Sequence, residues 1–199
     1  MISINTLLGA YQQGLFPMAE GGRIGWFSPA RRGILPLDHL HVSRRLRRVQ
    51  RQGKFQSSVN RTFSTVITAC AARPANAGNW IDQEIIDSYE ALHAAGFAHS
   101  VEVWDGETLA GGLYGVSLGG AFFGESMFHA VTDASNVALC VLVERLRQRS
   151  YRLLDIQWLT PHLARLGAIE VSRQRYLTLL ADALDVRCSF DEGSGRSWH

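Results

Sequence analysis

Apolar and polar residues alternate along three consecutive segments in the middle of the chain, which is the pattern of strands with one face in a core. Residues 98–104 form the first segment, and the Asp105-Gly106 pair after them is a common two-residue hairpin turn. Residues 108–116 return, and Gly119-Gly120 leads into a third segment at 121–126. The pattern predicts a three-stranded antiparallel meander.

Apolar residues recur with a helical period before and after the meander. Ser43, Thr160 and Ser172 each stand where a hydroxyl can cap a helix, and Pro161 suits the first turn after Thr160. Asp133 is the expected cap of the helix that follows it. The predicted helices cover residues 4–12, 43–52, 62–72, 82–95, 134–147, the stretch from Thr160 to Gly167, and 172–182.

Two further strands are predicted outside the meander, at residues 55–59 and 153–158. Residues 18–36 combine Gly, Pro and aromatic residues, and we predict that they form an irregular, packed loop. Helices and strands then alternate around one sheet. The predicted fold class is α/β in its α+β form, with a mixed, largely antiparallel sheet and flanking helices.

The composition is that of a globular protein. A chain of 199 residues that is 46% hydrophobic and 19% charged can bury one sizeable core. Its three cysteines form no CxxC pair, which indicates neither disulfides nor a zinc site, and Cys70 and Cys140 are expected to be buried thiols in apolar helices. Without a signal-peptide pattern or a bilayer-length apolar stretch, the protein is expected to be cytoplasmic and to bind no membrane.

Positive charge is concentrated in one short segment, although the net charge is only +2. Seven basic residues lie between Arg44 and Arg61, one of them a lysine, and no acidic residue interrupts them. On a helix, Arg44, Arg48 and Arg51 fall on one side, with Arg45 adjacent. The planar guanidinium group binds two phosphate oxygens at once, so this helix is a candidate for RNA phosphates. The alternative is a solvated helix face.

The segment Gly124-Glu-Ser-Met-Phe128 ends an apolar strand. A serine-hydrolase elbow needs glycine at the position of Phe128, because the tight turn has no room for a side chain, so Ser126 is not a candidate nucleophile. Glu125 is flanked by apolar side chains and is expected to be partly desolvated. Such a carboxylate can pair with an ammonium group or accept from hydrogen-bond donors. The alternative is a solvated salt bridge.

Asp155 and Gln157 are two residues apart in a predicted strand, so we expect their side chains to share one face. A carboxylate beside a carboxamide provides two kinds of acceptor and two donors. Such a pair can hold a protonated amine and polarise a carbonyl. The alternative is a pair of exposed polar residues on a surface strand.

The sequence contains no pattern for a metal or nucleotide cofactor. His39 and His41 form an i, i+2 pair, but no further ligand is spaced to join them. The glycines between residues 111 and 120 do not follow the order of a dinucleotide or phosphate-binding loop. The pattern therefore favours neither a metal site nor a nucleotide-phosphate loop.

Together these segments resemble the leucyl/phenylalanyl-tRNA–protein transferase family of bacteria, and the resemblance extends over nearly the whole chain. Each motif alone is weak, but their number and order make the match specific. The matching pieces are Tyr11-Gln-Gln-Gly-Leu-Phe-Pro17, Trp26-Phe-Ser-Pro29 with Arg32, His99-Ser-Val-Glu-Val-Trp104, Gly111-Gly-Leu-Tyr-Gly-Val116, Gly124-Glu-Ser-Met-Phe128, Asp133-Ala-Ser135, Asp155-Ile-Gln157, His162-Leu163 and Leu166-Gly-Ala168.

The resemblance implies a small N-terminal part, placed here at residues 1–35, and an acetyltransferase-like (GNAT-type) domain at 36–199. It also implies transfer of Leu or Phe, with Met as a further candidate, from aminoacyl-tRNA to proteins that begin with Arg or Lys, which creates a degradation signal. By the same resemblance, no metal or small-molecule cofactor is needed, and Asp155 and Gln157 are the catalytic pair. The residues implied at the 3′ end of the aminoacyl-tRNA are Glu125, Met18, Ser126, and the pocket residues Leu113 and Phe122.

The chain departs from the family pattern at three positions. Met18 stands where many members have a Trp on which the terminal adenine can stack, and a thioether packs on a base less rigidly. Asn136 replaces a common Lys, and Thr160 replaces a common Asn. These differences bear on amino-acid preference and affinity more than on the reaction.

Two other functions stay open at the level of sequence. An acyl-CoA N-acetyltransferase would need a pyrophosphate loop between a strand and a helix, whereas the glycines of Ser117-Leu-Gly-Gly120 lead into a strand. A non-catalytic RNA-binding module would need only the arginine helix.

Overall fold

A computed structural model describes residues 1–72 and 80–191. Its helices are α1 (Ile4–Gln12), α2 (Arg44–Arg51), α3 (Phe63–Ala71), α4 (Gln83–Ala94), α5 (Ala134–Gln148), α6 (Pro161–Arg165) and α7 (Arg173–Leu184). Its strands are β1 (Phe16–Glu20), β2 (Arg23–Phe27), β3 (Arg31–Ile34), β4 (Phe55–Val59), β5 (Ala98–Asp105), β6 (Thr108–Leu118), β7 (Ala121–His129), β8 (Leu153–Gln157) and β9 (Ile169–Ser172).

Seven strands form the main sheet in the order β4-β5-β6-β7-β8-β3-β9, and β1 pairs with β2 in a separate hairpin. Within the main sheet β7 and β8 run parallel, and the other neighbours are antiparallel. The predicted meander is β5-β6-β7. The mixed, largely antiparallel sheet with flanking helices is therefore confirmed.

Two clusters of buried apolar residues cover the two faces of the sheet. Leu153 belongs to the cluster that includes side chains of α1, α3, α4 and α7, and Leu154 belongs to the cluster with α5. Consecutive strand residues point to opposite faces, so the two clusters lie on opposite sides of β8. The thiols of Cys70 and Cys140 are buried, one in each cluster, as predicted.

Helix starts follow the capping residues in the sequence. The hydroxyls of Ser43, Thr160 and Ser172 each accept from a backbone N–H in the first turn at 3.2 Å. Asp133 precedes α5 as predicted, but its carboxylate caps nothing, because it pairs with Arg45 at 2.8 Å. The predicted N-cap position is therefore confirmed, but its side chain makes no capping hydrogen bond.

The prediction of an irregular loop at residues 18–36 was wrong. The hairpin β1-β2 and the strand β3 occupy most of it, and β3 lies between β8 and β9 in the main sheet. The four-residue strand β9 was missed as well. The division into residues 1–35 and 36–199 stays a prediction. Strand β3 falls in the shorter part by sequence, but it belongs to the main sheet. None of the helices in residues 1–72 and 80–191 is long and apolar enough to cross a membrane.

Candidate active site

A cleft of about 440 Å³ opens between α5, α6 and the strands β6, β7 and β8. Apolar side chains form most of its wall: Leu113, Met127, Leu139, Leu142, Leu154 and Ile156. Aromatic and sulfur-containing side chains also line it: Phe16, Met18, Trp80 and Trp158. The polar side chains of Glu125, Ser126 and Gln157 reach the same cleft. The space therefore joins an apolar pocket to a small set of hydrogen-bonding groups.

Glu125 on β7 is the carboxylate that faces the cleft, and it is partly exposed. Its Oε1 accepts from the Tyr11 hydroxyl at 2.7 Å and from Nε2 of Gln157 at 3.2 Å, and its Oε2 accepts from the Tyr89 hydroxyl at 3.2 Å. Burial raises the pKa of Glu125 to about 8, although the two tyrosine hydrogen bonds act in the opposite direction. Glu125 therefore accepts from donors, one of the two alternatives that the sequence left open.

Gln157 ends β8 with a left-handed backbone, at φ 57°. Its N–H donates to Asp155 Oδ1 at 2.9 Å, which holds this uncommon conformation. Gly33 pairs with Gln157 across the sheet, and a Cβ at position 33 would come within 2.9 Å of the backbone of Trp158 and Leu159. Because Gly33 has no side chain, the chain can turn here and direct the Gln157 carboxamide towards Glu125.

Asp155 and Gln157 alternate with Leu154 and Ile156 of the other apolar cluster, as predicted, but Asp155 does not line the cleft beside Gln157. Its side chain has no exposed surface and forms a buried ion pair with Arg32, with Nη2–Oδ2 at 2.6 Å and Nε–Oδ1 at 2.9 Å. The Tyr176 hydroxyl donates to Oδ2 at 2.8 Å. With the N–H of Gln157, four donors occupy the four acceptor positions of this carboxylate. Asp155 therefore cannot contact an incoming amine.

Arg32 connects three parts of the chain beneath the cleft. Its guanidinium group lies between the rings of Phe16 and Tyr176, at 4.5 and 4.4 Å from their centroids, and donates to the Gly14 carbonyl at 3.0 Å. Burial lowers the pKa of Arg32, but the charge and hydrogen bonds of Asp155, together with Tyr176 and Glu125, outweigh burial, so the pKa lies above its ordinary value. Arg32 and Asp155 thus tie β3, β8 and α7 together below Gln157.

Three of the remaining predicted residues line the cleft, and one does not. Met18, Leu113 and Ser126 line the cleft. Phe122 does not line it: its ring is fully buried and stacks on Phe190 with centroids 5.1 Å apart. The expectation that Phe122 contacts the aminoacyl side chain is not supported by this position.

The hydroxyls of Tyr11 and Tyr89 and the side chain of Arg32 were not predicted as site residues. Tyr11 and Tyr89 lie on the apolar faces of α1 and α4, where periodicity indicates only burial. Arg32 was part of a quoted motif, but it is 123 positions from Asp155, and no local pattern marks their pairing.

The arginine cluster lies on α2, and none of its side chains lines the cleft. Arg44, Arg45, Arg48 and Arg51 are all exposed, and Arg45 pairs with Asp133. Among the described residues, Arg44, Arg48 and Arg51 form no ion pair. The described residues also contain no group of three His, Cys, Asp or Glu side chains that could hold a metal ion.

Among solved structures, the chain has a weak similarity to one acetyltransferase. The chain is similar to a putative acetyltransferase of the GNAT family from Desulfovibrio desulfuricans, with a TM-score of 0.37 and 17% identity over 50% of this chain and 69% of that chain. A likeness this weak carries no argument, and the GNAT-type assignment stays a prediction.

Two sequence relatives are much closer. Leucyl/phenylalanyl-tRNA–protein transferase of Ruegeria sp. (strain TM1040) is 52% identical over 187 residues, which cover 92% of this chain and 88% of that protein. The protein of the same name from Rhodopseudomonas palustris (strain HaA2) is 52% identical over 194 residues, which cover 96% and 87%.

Two family models match in sequence order. The model described as leucyl/phenylalanyl-tRNA protein transferase matches residues 34–181. The model of the N-terminal domain of the same family matches residues 1–30. The chain therefore belongs to the leucyl/phenylalanyl-tRNA protein transferase family.

Proposed function

We propose that this protein is an aminoacyltransferase that moves Leu or Phe from aminoacyl-tRNA to the α-amine of proteins that begin with Arg or Lys. The observation that carries the proposal, beside family membership, is the apolar pocket that ends at Glu125 and Gln157. Burying a Leu or Phe side chain contributes about 1.5–3 kcal/mol, so such a pocket admits these donors and rejects charged ones.

The proposed reaction needs positioning more than activation. The α-amine of the acceptor attacks the ester carbonyl of aminoacyl-tRNA, and the ribose oxygen leaves. Because the ester is already reactive, the protein has to align the amine and stabilise the charge that develops on the carbonyl oxygen. Gln157 offers both a donor and an acceptor at the rim of the pocket, beside Glu125.

In this mechanism Asp155 acts through Gln157. Its carboxylate is occupied by Arg32 and Tyr176, so we assign it the role of holding the left-handed turn of Gln157 in place. Glu125 lies between the apolar pocket and Gln157, which is where the donor ester would be. Met18 and Trp80 are candidate contacts for the terminal adenosine, because they line the same cleft.

We further propose that α2 binds the phosphates of the tRNA. Replacing Arg48 and Arg51 by Ala is expected to raise the KM for charged tRNA and to leave transfer from a short aminoacyl-adenosine analogue almost unchanged. Each lost phosphate contact should reduce the slope of log K against log salt by about 0.7–0.9. The measurement is tRNA binding from 50 to 300 mM salt. The double variant Arg147→Ala/Arg175→Ala, on α5 and α7, is the control, and equal loss with the analogue would contradict this role.

The pocket also predicts donor selectivity. Leu113 lines the cleft and is 3% exposed, so Leu113→Trp would fill space next to the donor side chain. Transfer of Phe is expected to fall about tenfold more than transfer of Leu, because the larger side chain loses its room, and tenfold corresponds to about 1.4 kcal/mol. Rates with the two charged tRNAs measure this. Leu177→Trp at an exposed position of α7 is the matched control, and equal loss with both donors would argue against the pocket.

One assay separates the proposed function from its rivals. Labelled Leu on tRNA is offered with a peptide that begins with Arg, with the same peptide beginning with Ala, and with labelled acetyl-CoA in a parallel reaction. Transfer from the tRNA to the Arg peptide supports the proposal. Acetyl transfer would indicate an acyl-CoA enzyme, and tRNA binding with no transfer would indicate an RNA-binding module.

A further inference from the structure

The hydroxyls of Tyr11 and Tyr89 and the carboxylate of Glu125 form a closed triangle at the wall of the cleft, here called the tyrosine–glutamate triangle. Tyr11 contacts Glu125 Oε1 at 2.7 Å, Tyr89 contacts Oε2 at 3.2 Å, and the two hydroxyls hydrogen-bond each other. Both tyrosine side chains have no exposed surface. Each of the three polar groups thus hydrogen-bonds to the other two.

The triangle has three contacts, but its two tyrosines supply only two hydrogens. A third hydrogen is present when Glu125 is protonated: the acid donates to one hydroxyl, which donates to the second, which donates back to the other carboxyl oxygen. When Glu125 is ionised, both tyrosines can donate to it instead. Burial raises the pKa of both tyrosines well above the ordinary value, so they stay protonated while Glu125 gains and loses a proton.

Of the two carboxylates near the cleft, only Glu125 has an acceptor position that no described residue fills. Donors fill both oxygens of Asp155, whereas Glu125 Oε1 accepts from Tyr11 and Gln157, and within residues 1–72 and 80–191 Oε2 accepts only from Tyr89. An ionised carboxylate has about four acceptor positions, so one remains on Oε2. Glu125 is also partly exposed to the cleft, whereas Asp155 is not exposed.

We propose that the tyrosine–glutamate triangle carries the proton of the transfer reaction, with Glu125 as its acceptor and later its donor. This proposal rests on the proposed function. As the N–C bond forms, ionised Glu125 takes one proton from the attacking nitrogen. As the ester C–O bond breaks, protonated Glu125 returns that proton to the ribose oxygen. Amine and ester become amide and alcohol, and no proton is gained or lost.

The surroundings of Glu125 suit both steps. Its pKa of about 8 is close to the ordinary pKa of an α-amine, about 7.7–8.0, so proton transfer in either direction is nearly balanced. The charge of Asp155 raises the pKa of Glu125, and Arg32 lowers it, as do the hydrogen bonds from Tyr11 on α1 and Tyr89 on α4. Gln157 from β8 donates to it, and Tyr114 from β6 packs edge-on against Tyr89.

The test is the single-turnover rate of Leu transfer from pH 6 to 9.5, with an acceptor peptide of ordinary basicity and with one whose α-amine is less basic. The wild-type rate should rise with pH. The midpoint of this rise, here called the limb, should lie near pH 8 and stay in place when the acceptor changes. With the less basic acceptor, whose amine titrates below pH 8, Glu125→Gln should lose the limb near pH 8 and about 100-fold of the rate. Tyr89→Phe should move the limb to higher pH, because one donor to the ionised carboxylate is gone.

Thermal unfolding without substrate provides a second measurement that does not depend on activity. A carboxyl group whose pKa is raised by folding contributes stability that is fully present below its unfolded value and is lost as pH rises through about 8. The melting temperature of the wild type, relative to Glu125→Gln, should therefore fall between about pH 4.5 and 8.

Three results would overturn the proposal. The first is a limb that follows the basicity of the acceptor amine, the second is a limb near pH 8 that persists in Glu125→Gln with the less basic acceptor, and the third is a melting difference that does not vary with pH. A wild-type protein that transfers no Leu at any pH would instead contradict the proposed function itself.

Discussion

Replacing Gln157 by Ala is expected to lower kcat for Leu transfer by about 100-fold and to change the KM for charged tRNA little. In the proposed mechanism the carboxamide aligns the amine and the carbonyl only at the moment of attack. Removal of one such aligned donor typically costs 10²–10³-fold in kcat, about 2.7–4 kcal/mol. Steady-state rates with charged tRNA and a peptide that begins with Arg measure the effect.

Two variants define what the result means. Gln148→Ala changes the same residue type at an exposed position of α5 and should leave both constants unchanged. Gln157→Asn keeps a side chain that tolerates the left-handed backbone but reaches less far, so its kcat should fall between wild type and Gln157→Ala. A higher KM for the peptide at unchanged kcat would show that Gln157 binds the acceptor without aligning it.

Asp155→Ala is expected to reduce the free energy of unfolding by about 3–5 kcal/mol, because it leaves Arg32 buried without a counter-ion. Arg32 is 1% exposed, so water cannot replace the lost carboxylate. The Gln157 N–H loses its acceptor at the same time, and transfer should fall together with stability. Denaturant unfolding followed by circular dichroism measures the first effect.

The matched control is Glu170→Ala, which breaks the exposed Arg31–Glu170 ion pair. A surface pair at 3.4 Å should be worth no more than about 1 kcal/mol. The double variant Arg32→Met/Asp155→Leu should recover much of the stability lost in Asp155→Ala, because it removes both buried charges. It should not recover transfer, since Gln157 stays unsupported. A loss below 1 kcal/mol in Asp155→Ala would contradict the assignment.

Local sequence patterns were sufficient for most helices and for the meander. Ser43, Thr160 and Ser172 cap helices because a side-chain oxygen reaches an N–H only a few residues away, an interaction that depends on nearest neighbours alone. Period-two alternation placed β5, β6 and β7 for the same reason. The short strands β1, β2 and β3 escaped prediction because Gly or Pro interrupts each of them, and β9 escaped because four residues are too few to establish a period.

The candidate site was predictable only in part. The flanking apolar residues of Glu125 indicated a desolvated carboxylate, and this agrees with its partly exposed position among three donors. Strand alternation placed Asp155 and Gln157 opposite Leu154 and Ile156, but it could not show that Asp155 is closed off by Arg32 while Gln157 reaches Glu125. Asp133 likewise stands where a cap belongs, but Arg45, 88 positions away, takes its carboxylate.

The sequence by itself thus determined most helices, the meander, the apolar faces and the identity of the polar residues at the strand ends. Only the tertiary structure decided which of them reach the cleft. Tyr11 meets Glu125 across 114 positions, and Arg32 meets Asp155 across 123. Such pairs form when helices and strands pack together. Neighbouring residues therefore cannot show which carboxylate is neutralised by a buried cation and which stays open to a substrate.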